Sequence, residues 1–477
     1  MHLCRLTQAV SIALTMAALA SSSPAADVNT PADTDPLLQP LAEYTRPAPG
    51  QPLPTSEAQF DQLLALAATE SPTMLEQADT VAQVEASRFR SWVRQMPIIS
   101  ASYSLGGYGE ANAGGSVANS LTPGGSFSIQ ASRPLFHWGG FTAETALGIL
   151  KEQMAQNDAV LAYAKLCLDL RTRYLALVVQ KAQAALLGNE VDFAARRLEK
   201  ERLLLGQGQS TAAKVSDLDL ESQSFVLKKM EADSEFNHQL AEFRRLTGSH
   251  TFSGDDVPDH IFMPVVDQSD LQTQQQQFTQ GGFNLTPTAN GAQLNQNSLD
   301  QQIRINRANQ RPQFNLAASA SEEPYINSTG TGLKFGTIFF AGINGSWIIY
   351  DRDEAFSRTN ALLAQQRVVE TKLTDSREQA FDDSASDLDQ IDLGLRALAV
   401  LKKQLTQQQA DYGRIEVQES NGQTETTEVD TARSTLLDTR FQILQRQQQV
   451  ANGYYSYISQ LFRDPAMANL PPFTQPR

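Results

Sequence analysis

Ser132-Arg133-Pro134-Leu135-Phe136-His137-Trp138 returns at an offset of 214 as Ser346-Trp347-Ile348-Ile349-Tyr350-Asp351-Arg352. The echo extends outward from this stretch at an almost constant offset. Gly208-Gln209-Ser210 with Val215 recurs as Gly422-Gln423-Thr424 with Val429, at the same offset, and Gln95-x-Pro97 recurs as Gln310-x-Pro312 at an offset of 215. Insertions between these anchors are nearly absent, so each copy is one continuous unit whose length is fixed by geometry. A period this long excludes the short solenoid repeats and points to a duplicated half-domain.

Upstream of the quoted stretch the apolar residues alternate. Ile99, Ala101, Tyr103 and Leu105 interleave with Ser100, Ser102 and Ser104, and after a Gly- and Asn-rich loop from Gly106 to Gly125, Phe127, Ile129 and Ala131 interleave with Ser126, Ser128, Gln130 and Ser132. That period of two predicts strands with one apolar and one polar face. The second copy repeats the plan, with Phe314, Leu316, Ala318 and Ala320 before a loop of Glu322 to Gly332. Its return strand sets Ala341, Ile343, Gly345 and Trp347 against Gly342, Asn344 and Ser346. Each half thus contributes a hairpin of roughly ten-residue strands, close to the length that crosses a bilayer at a tilt. Two hairpins cannot close a barrel, and an open edge in lipid would strand its peptide groups, so several copies of the chain would have to share one. The alternative is a soluble four-stranded sheet covered by helices.

Downstream of each hairpin the chain runs without a proline, from Gly139 to Leu205 and from Asp353 to Glu419. An unbroken helix over either stretch is about 100 Å long. Tyr163, Leu166, Leu170, Tyr174 and Leu177 make a helical stripe in the first, and Leu388, Ile391, Leu395, Leu398, Leu401 and Leu405 in the second. Each has one packed seam and much wetted surface. Glycine-containing turns follow, at Gly206 to Ser210 and Ser420 to Thr424, and then returning helices to Leu246 and Phe462, with Gly248 as a C-cap. Before the first hairpin, Thr55 to Arg94 reads as a helix that Pro72 kinks or restarts. Residues 249 to 300 hold a glutamine tract and little periodicity, and read as a connector.

The ends and the composition narrow the class. Arg5, an apolar run from Ala9 to Ala20 and small residues before Asp27 have the pattern of a secretory signal peptide, with cleavage after Ala20 or Ala26. Seven prolines between Pro31 and Pro54 predict an extended strap. Cys4 precedes the apolar run, so no lipid anchor is expected there, and Cys167 alone would survive cleavage, which leaves no partner for an intrachain disulfide. The net charge of -15 argues against nonspecific nucleic-acid binding, which needs a basic face. No nucleophile-base pair, phosphate loop or zinc motif stands in a convincing context, so neither enzyme activity nor a cofactor is expected. His250, Asp255, Asp256, Asp259 and His260 lack thiols and helical ligand spacing, and read as a polar loop before a metal site.

Together these features resemble the TolC-type outer-membrane factor family, the exit ducts of efflux pumps and type I secretion systems. The resemblance covers residues 55 to 464, and its most specific parts are Pro134-Leu135-Phe136-His137-Trp138-Gly139 and the turns Gly208 to Val215 and Gly422 to Val429. Family members usually carry an acidic residue where His137 stands, and Asp351 keeps it; the second copy lacks the usual Pro and Gly near Ile348 and Asp353. The resemblance implies an α+β fold in which a homotrimer closes a shared twelve-stranded transmembrane β-barrel, four strands per protomer, above a long α-helical barrel in the periplasm. It implies outer-membrane lipid around the strands of a Gram-negative cell, and a periplasmic adaptor (membrane fusion) protein and an inner-membrane pump as partners. The domains would then be a signal peptide (1–26), a Pro-rich strap (27–54), a first repeat (55–248), a connector (249–300), a second repeat (301–464) and a tail (465–477).

The family closes its helical barrel at the periplasmic tip with acidic residues on the helix after the second turn. Carried onto this chain, the first position falls on Glu428 and the second on Thr431, with Asp430 beside it. Copies of Glu428 and Asp430 around an axis would make a negative ring that binds cations; alternatively they are ordinary first-turn charges that favour the helix dipole. The same resemblance puts adaptor docking at the turns, on Gly206, Gly208, Ser210 and Lys214 in one half and Gly422 and Thr424 in the other. Trp138 and Trp347 end the return strands, where tryptophan suits a membrane-interface belt, although it would also pack a soluble sheet. Asp382, Asp383, Asp387, Asp389 and Asp392 read as a solvated face ahead of a lumen selectivity patch. The function expected is a passive duct opened by an iris-like movement of the returning helices. The rival reading is a soluble periplasmic coiled-coil adaptor or spacer, which shares the helical hairpins but gives no reason for two Ser-alternating β-hairpins.

Overall fold

The computed structural model describes residues 55–108, 122–326 and 333–470. The signal peptide, the Pro-rich strap and most of both strand-connecting loops lie outside these residues. In chain order the elements are α1 (Thr55–Glu70), α2 (Pro72–Val93), β1 (Ile98–Tyr108), β2 (Thr122–Phe136), α3 (Gly140–Gly206) and α4 (Ala212–Thr247). The second half follows with α5 (Gln268–Thr279), α6 (Pro287–Asn309), β3 (Gln313–Ile326), β4 (Leu333–Ser346), α7 (Glu354–Ser420) and α8 (Thr426–Gln460).

The repeat is exact where it matters for length. α3 and α7 are each 67 residues long. Both are entered through two consecutive left-handed residues, Trp138 and Gly139 (φ 52° and 80°) in one copy and Arg352 and Asp353 (φ 60° and 62°) in the other. Asp353 thus keeps the backbone conformation of Gly139 without being glycine, a role that aspartate tolerates better than most residues. Both long helices end alike. Gly208 (φ 73°) and Gly422 (φ 70°) turn the chain, with Gln209 N–H donating to the Leu204 carbonyl and Gln423 N–H to that of Gln418, each at 2.9 Å. This is the six-to-one bond of a Schellman turn, which requires a left-handed residue and so favours glycine.

The four strands form one antiparallel sheet in the order β1-β2-β3-β4. Its faces follow the alternation read in the sequence. Tyr103 lies opposite Phe127 and Ala101 opposite Ile129, then Ile129 opposite Ala320 and Leu316 opposite Ile343. On the other face the hydroxyls pair across strands, Ser102 with Ser128 at 2.7 Å and Ser104 with Ser126 at 2.8 Å. The strands are longer than the ten residues expected, 11, 15, 14 and 14 in turn. They run into the stretches expected as loops: Gly106 pairs with Gly124, Gly107 with Pro123 and Pro324 with Phe335. Glycine and proline read as turn formers locally, but a partner strand overrides that preference. A register shift between Pro134 and Phe136 interrupts the β2–β3 ladder just before its last pair, Phe136 with Phe314, beside a proline that supplies no amide donor.

The main core lies around the middle of α3, away from the sheet. Tyr163, Leu170, Leu177 and Val178 are almost fully buried there, against Leu64 of α1, Phe243 of α4 and Ala451 of α8. Pro72 restarts the first helix as expected, with Ser71 as N-cap and the proline in the first turn. The stretch read as a connector contains α5 and most of α6, whose Thr286-Pro287 start repeats Ser71-Pro72 at an offset of 215. α2 packs along α3, and α6 packs against both α3 and α7.

Candidate functional site

Three regions carry the residues singled out by sequence: the sheet, its junction with the helices, and the tips of the helical hairpins. In the sheet the apolar face is open. Ile99, Tyr103, Leu105 and Ile343 are 73%, 80%, 82% and 64% exposed, and among the described residues the outer edges of β1 and β4 have no strand partner. A face this apolar and this bare marks a surface meant for lipid or for another chain. The opposite face is uncharged between Ser100 and Ser104 and between Ser126 and Ser132.

At the junction both tryptophans bind the chain between α6 and β3. Trp138 Nε1 donates to the Pro312 carbonyl at 2.7 Å and Trp347 Nε1 to that of Gln310 at 3.1 Å. Arg311 sits over the Trp138 ring at 5.0 Å. The two indoles therefore converge at one level, where the sheet meets the helices. His137 and Asp351, equivalent in the repeat, do different work. His137 stacks on Phe141 and bonds Asn315, whereas Asp351 accepts the Ala355 amide at 2.9 Å and so caps α7.

At the tips the expected acids separate. The Glu428 carboxylate is exposed and has no side-chain partner among the described residues. Asp430 is instead held by Arg196 of α3 at 3.0 Å, with its side chain only 16% exposed. Lys200, one turn further along α3, reaches Glu425 at 2.9 Å and Thr427 Oγ1 at 3.2 Å; it holds the Glu425 carboxyl below its usual range. The first hairpin thus grips the start of α8 through two cations four residues apart on one helical face. Sequence reading missed Arg196 and Lys200; their spacing was visible, but their partners lie 234 and 225 positions further along the chain. In the first turn, Glu201 accepts from Ser210 and pairs with Lys214 at 2.9 Å, which lowers its carboxyl. Among the expected turn residues only Gly208 and Gly422 need positive φ; Gly206 is the last residue of α3.

Several of the remaining candidates have structural partners. Asp256 accepts from Ser253, Asp259 pairs with Lys181 at 2.9 Å, and among the described residues no group of three or more His, Cys, Asp or Glu could hold a metal ion. In the acidic stretch of α7, Asp382, Asp383 and Asp389 are exposed and Asp392 pairs with Arg396 at 2.8 Å. An apolar cavity between Phe60, Arg171, Tyr174 and Tyr455 holds about 40 Å³, room for a water but not for an organic ligand. Among the described residues no helix is long and apolar enough to cross a membrane.

No family model matches the sequence, and no curated protein matches it significantly. Solved structures do match. The chain is similar to the outer membrane channel CmeC of Campylobacter jejuni, with a TM-score of 0.65 and 12% identity over 87% of each chain. It is similar to the outer membrane protein VceC of Vibrio cholerae, with a TM-score of 0.61 and 13% identity over 85% of this chain and 96% of that one. The open state of the MtrE outer membrane channel of Neisseria gonorrhoeae matches with a TM-score of 0.58 and 12% identity over 84% and 88%. The chain has the fold of these channels, the TolC-type fold in which one protomer supplies four strands and long helical hairpins.

Proposed function

We propose that this chain is one of three copies that build a passive exit duct through the outer membrane of a Gram-negative bacterium. The observation that carries this reading is the sheet. It has one mainly apolar face and one serine-rich face that also carries Ile338 and Phe340, its outer edges are unpaired among the described residues, and it rises from two helical hairpins of nearly equal length. Peptide groups at an open edge cannot remain unpaired in lipid, so several copies close one barrel, and the likeness to the TolC-type channels makes them three sets of four strands in a twelve-stranded barrel. The apolar face meets lipid and the serine face lines the lumen. Trp138 and Trp347, converging at one level, form the interface belt on the periplasmic side.

The helices continue the lumen across the periplasm, and the turns at Gly206–Lys214 and Gly422–Thr424 meet a periplasmic adaptor coupled to an inner-membrane pump. Energy comes from that pump. The passengers are small molecules, or unfolded polypeptide in type I secretion. The exposed Glu428 supplies the ring of negative charge at the tip. Asp430 acts differently from the reading made on sequence alone, because Arg196 already holds it. Opening swings the start of α8 outward, and the Arg196–Asp430 and Lys200–Glu425 pairs hold it closed. An adaptor that competes for these pairs biases the gate.

Membrane fractionation and planar-bilayer recording test this together. The expected result is a heat-sensitive trimer in the outer membrane whose single-channel conductance or cation block changes in Glu428→Lys and in Asp430→Lys. A soluble monomer would refute the duct, and unchanged conductance and block in both variants would remove these residues from the gate.

A further inference from the structure

The strands carry almost no charge. Across residues 98–105, 122–137, 313–321 and 336–350 the only aspartate, glutamate, lysine or arginine is Arg133. Its face is fixed by register. Arg133 lies opposite Leu316, which lies opposite Ile343, and it follows Phe127, Ile129 and Ala131 at a period of two. It therefore stands on the apolar face rather than among the serines. The side chain is exposed, and among the described residues no carboxylate pairs with it.

The position lies inside the apolar band and not at its rim. Two steps of β3, from Leu316 to Phe314, separate Arg133 from the last rung of the ladder, about 7 Å, and Leu135, Phe136 and Phe314 are still exposed beyond it. An arginine facing hydrocarbon is costly, and the cost falls steeply towards the interface. Its apolar stem can lie along the sheet and carry the guanidinium to the headgroup level. At that level stand the two indoles, with Arg311 over the Trp138 ring at 5.0 Å and Arg352 exposed before α7. The acids there are Asp351, already bonded to the Ala355 amide, and Asp353, so the arginines outnumber them in a chain of net charge -15. The repeat adds a second sign. At the offset of 214, Arg133 answers to Trp347 and Trp138 to Arg352, so each copy places one indole and one guanidinium at these two positions, in opposite order.

We propose that Arg133 holds the phosphate of an anionic phospholipid in the periplasmic leaflet, with the acyl chains on the face of Ile129, Leu316 and Ile343 and with Arg311 adding its charge beside Trp138. The proposal rests on the duct reading above and names the lipid that its apolar face selects. A guanidinium presents a planar fork of N–H donors that matches two phosphate oxygens, and phosphate is the anion that a bilayer offers at this depth. A zwitterionic headgroup supplies the same phosphate but brings an ammonium that competes for it and is repelled by Arg311. A glycerol headgroup leaves the negative charge to both arginines. The selection is therefore for net charge, and phosphatidylglycerol meets it.

Quenching of tryptophan fluorescence by lipids brominated in their acyl chains tests this on the full-length oligomer in phosphatidylcholine bilayers. Brominated phosphatidylglycerol should associate more tightly than brominated phosphatidylcholine, by about fivefold at low salt, and the advantage should shrink at high salt. In Arg133→Gln the two lipids should reach parity. Arg377→Gln, an exposed position on α7 about 35 Å from the start of that helix, should leave the preference unchanged. The heat-sensitive oligomer certifies that each variant folds. Equal association of both lipids with the unaltered chain overturns the proposal without recourse to any variant, and a preference that survives Arg133→Gln overturns its assignment to Arg133. Either result leaves the duct standing. Quenching by neither lipid would place the sheet outside the bilayer and overturn the duct as well.

Discussion

Asp464 shows how much one side chain can fasten. It pairs with Arg171 in a site where the two side chains are 4% and 5% exposed, and it caps the short helix Pro465–Asn469 by accepting the Ala466 amide at 2.8 Å. Tyr163 donates to the Ala466 carbonyl at 3.0 Å, and Arg171 lies over the Tyr455 ring at 4.5 Å. Asp464→Ala leaves a buried guanidinium unpaired and should cost about 3–5 kcal/mol, read as a lowered denaturation midpoint; an unchanged midpoint would mean that water replaces the carboxylate. Asp387 on α7 works in the opposite sense. Burial first, and the charge of Asp383 after an opposing hydrogen bond with Ser456, push its carboxyl above its usual value. The folded chain therefore keeps this proton to higher pH than the unfolded chain, so the group's contribution is complete below the ordinary aspartate range, near 3.9, and is lost as pH rises through the raised value. Asp387→Asn should raise the thermal midpoint at neutral pH and leave it unaltered about one unit below that range; a shift of equal size at both pH values would contradict the assignment. The sequence reads Asp387 as part of a solvated face, which its partial burial contradicts, and it gives Asp464 no role. The apolar stripe Tyr163, Leu166, Leu170 and Leu177 was legible because its partners repeat every three or four positions, whereas Arg171 and Asp464 stand 293 residues apart and carry no local sign of each other.

Helices and strands were legible in proportion to how far their pattern ran. The two longest helices, the two β-hairpins and the alternation of the sheet all followed from periodicity. Strand ends did not, because Gly106, Pro123 and Pro324 pair in ladders that their own preferences disfavour. The glutamines and asparagines of α6 hide its helical period, although Thr286-Pro287 supplies the same cap-then-proline signal as Ser71-Pro72. Of the tip residues, the turns were legible and the cations Arg196 and Lys200 were not, since only the fold brings them to α8. Close approach is the other feature hidden at this scale. A Cβ on Gly394 of α7 would fall 2.4 Å from Val450 Cγ2 of α8, so the two helices meet where one lacks a side chain. Gly394→Ala should destabilise the hairpin by about 1–3 kcal/mol despite its better helix propensity, and Val450→Ala in the same chain should recover much of the loss. Thermal melts of the two single variants and the double variant decide this, and additive losses would show that the two positions do not share the space.

Across the whole molecule, the equal spans of the two hairpins set what the chain can tolerate. Adding one heptad lengthens a helix by about 10.5 Å while nearly preserving its packed face. Lengthening both helices of the first hairpin alone should carry Arg196 and Lys200 past Asp430 and Glu425 and abolish the heat-sensitive oligomer on unheated gels. The same extension made in both hairpins should restore it, and an oligomer that survives the one-sided extension would show that the tips need not be level. This constraint reaches beyond any single variant. A gain or loss of length in one half is viable only beside its twin, so insertions and deletions in the descent of such a chain become fixed in couples, and the distance it bridges changes in whole steps of the helical repeat.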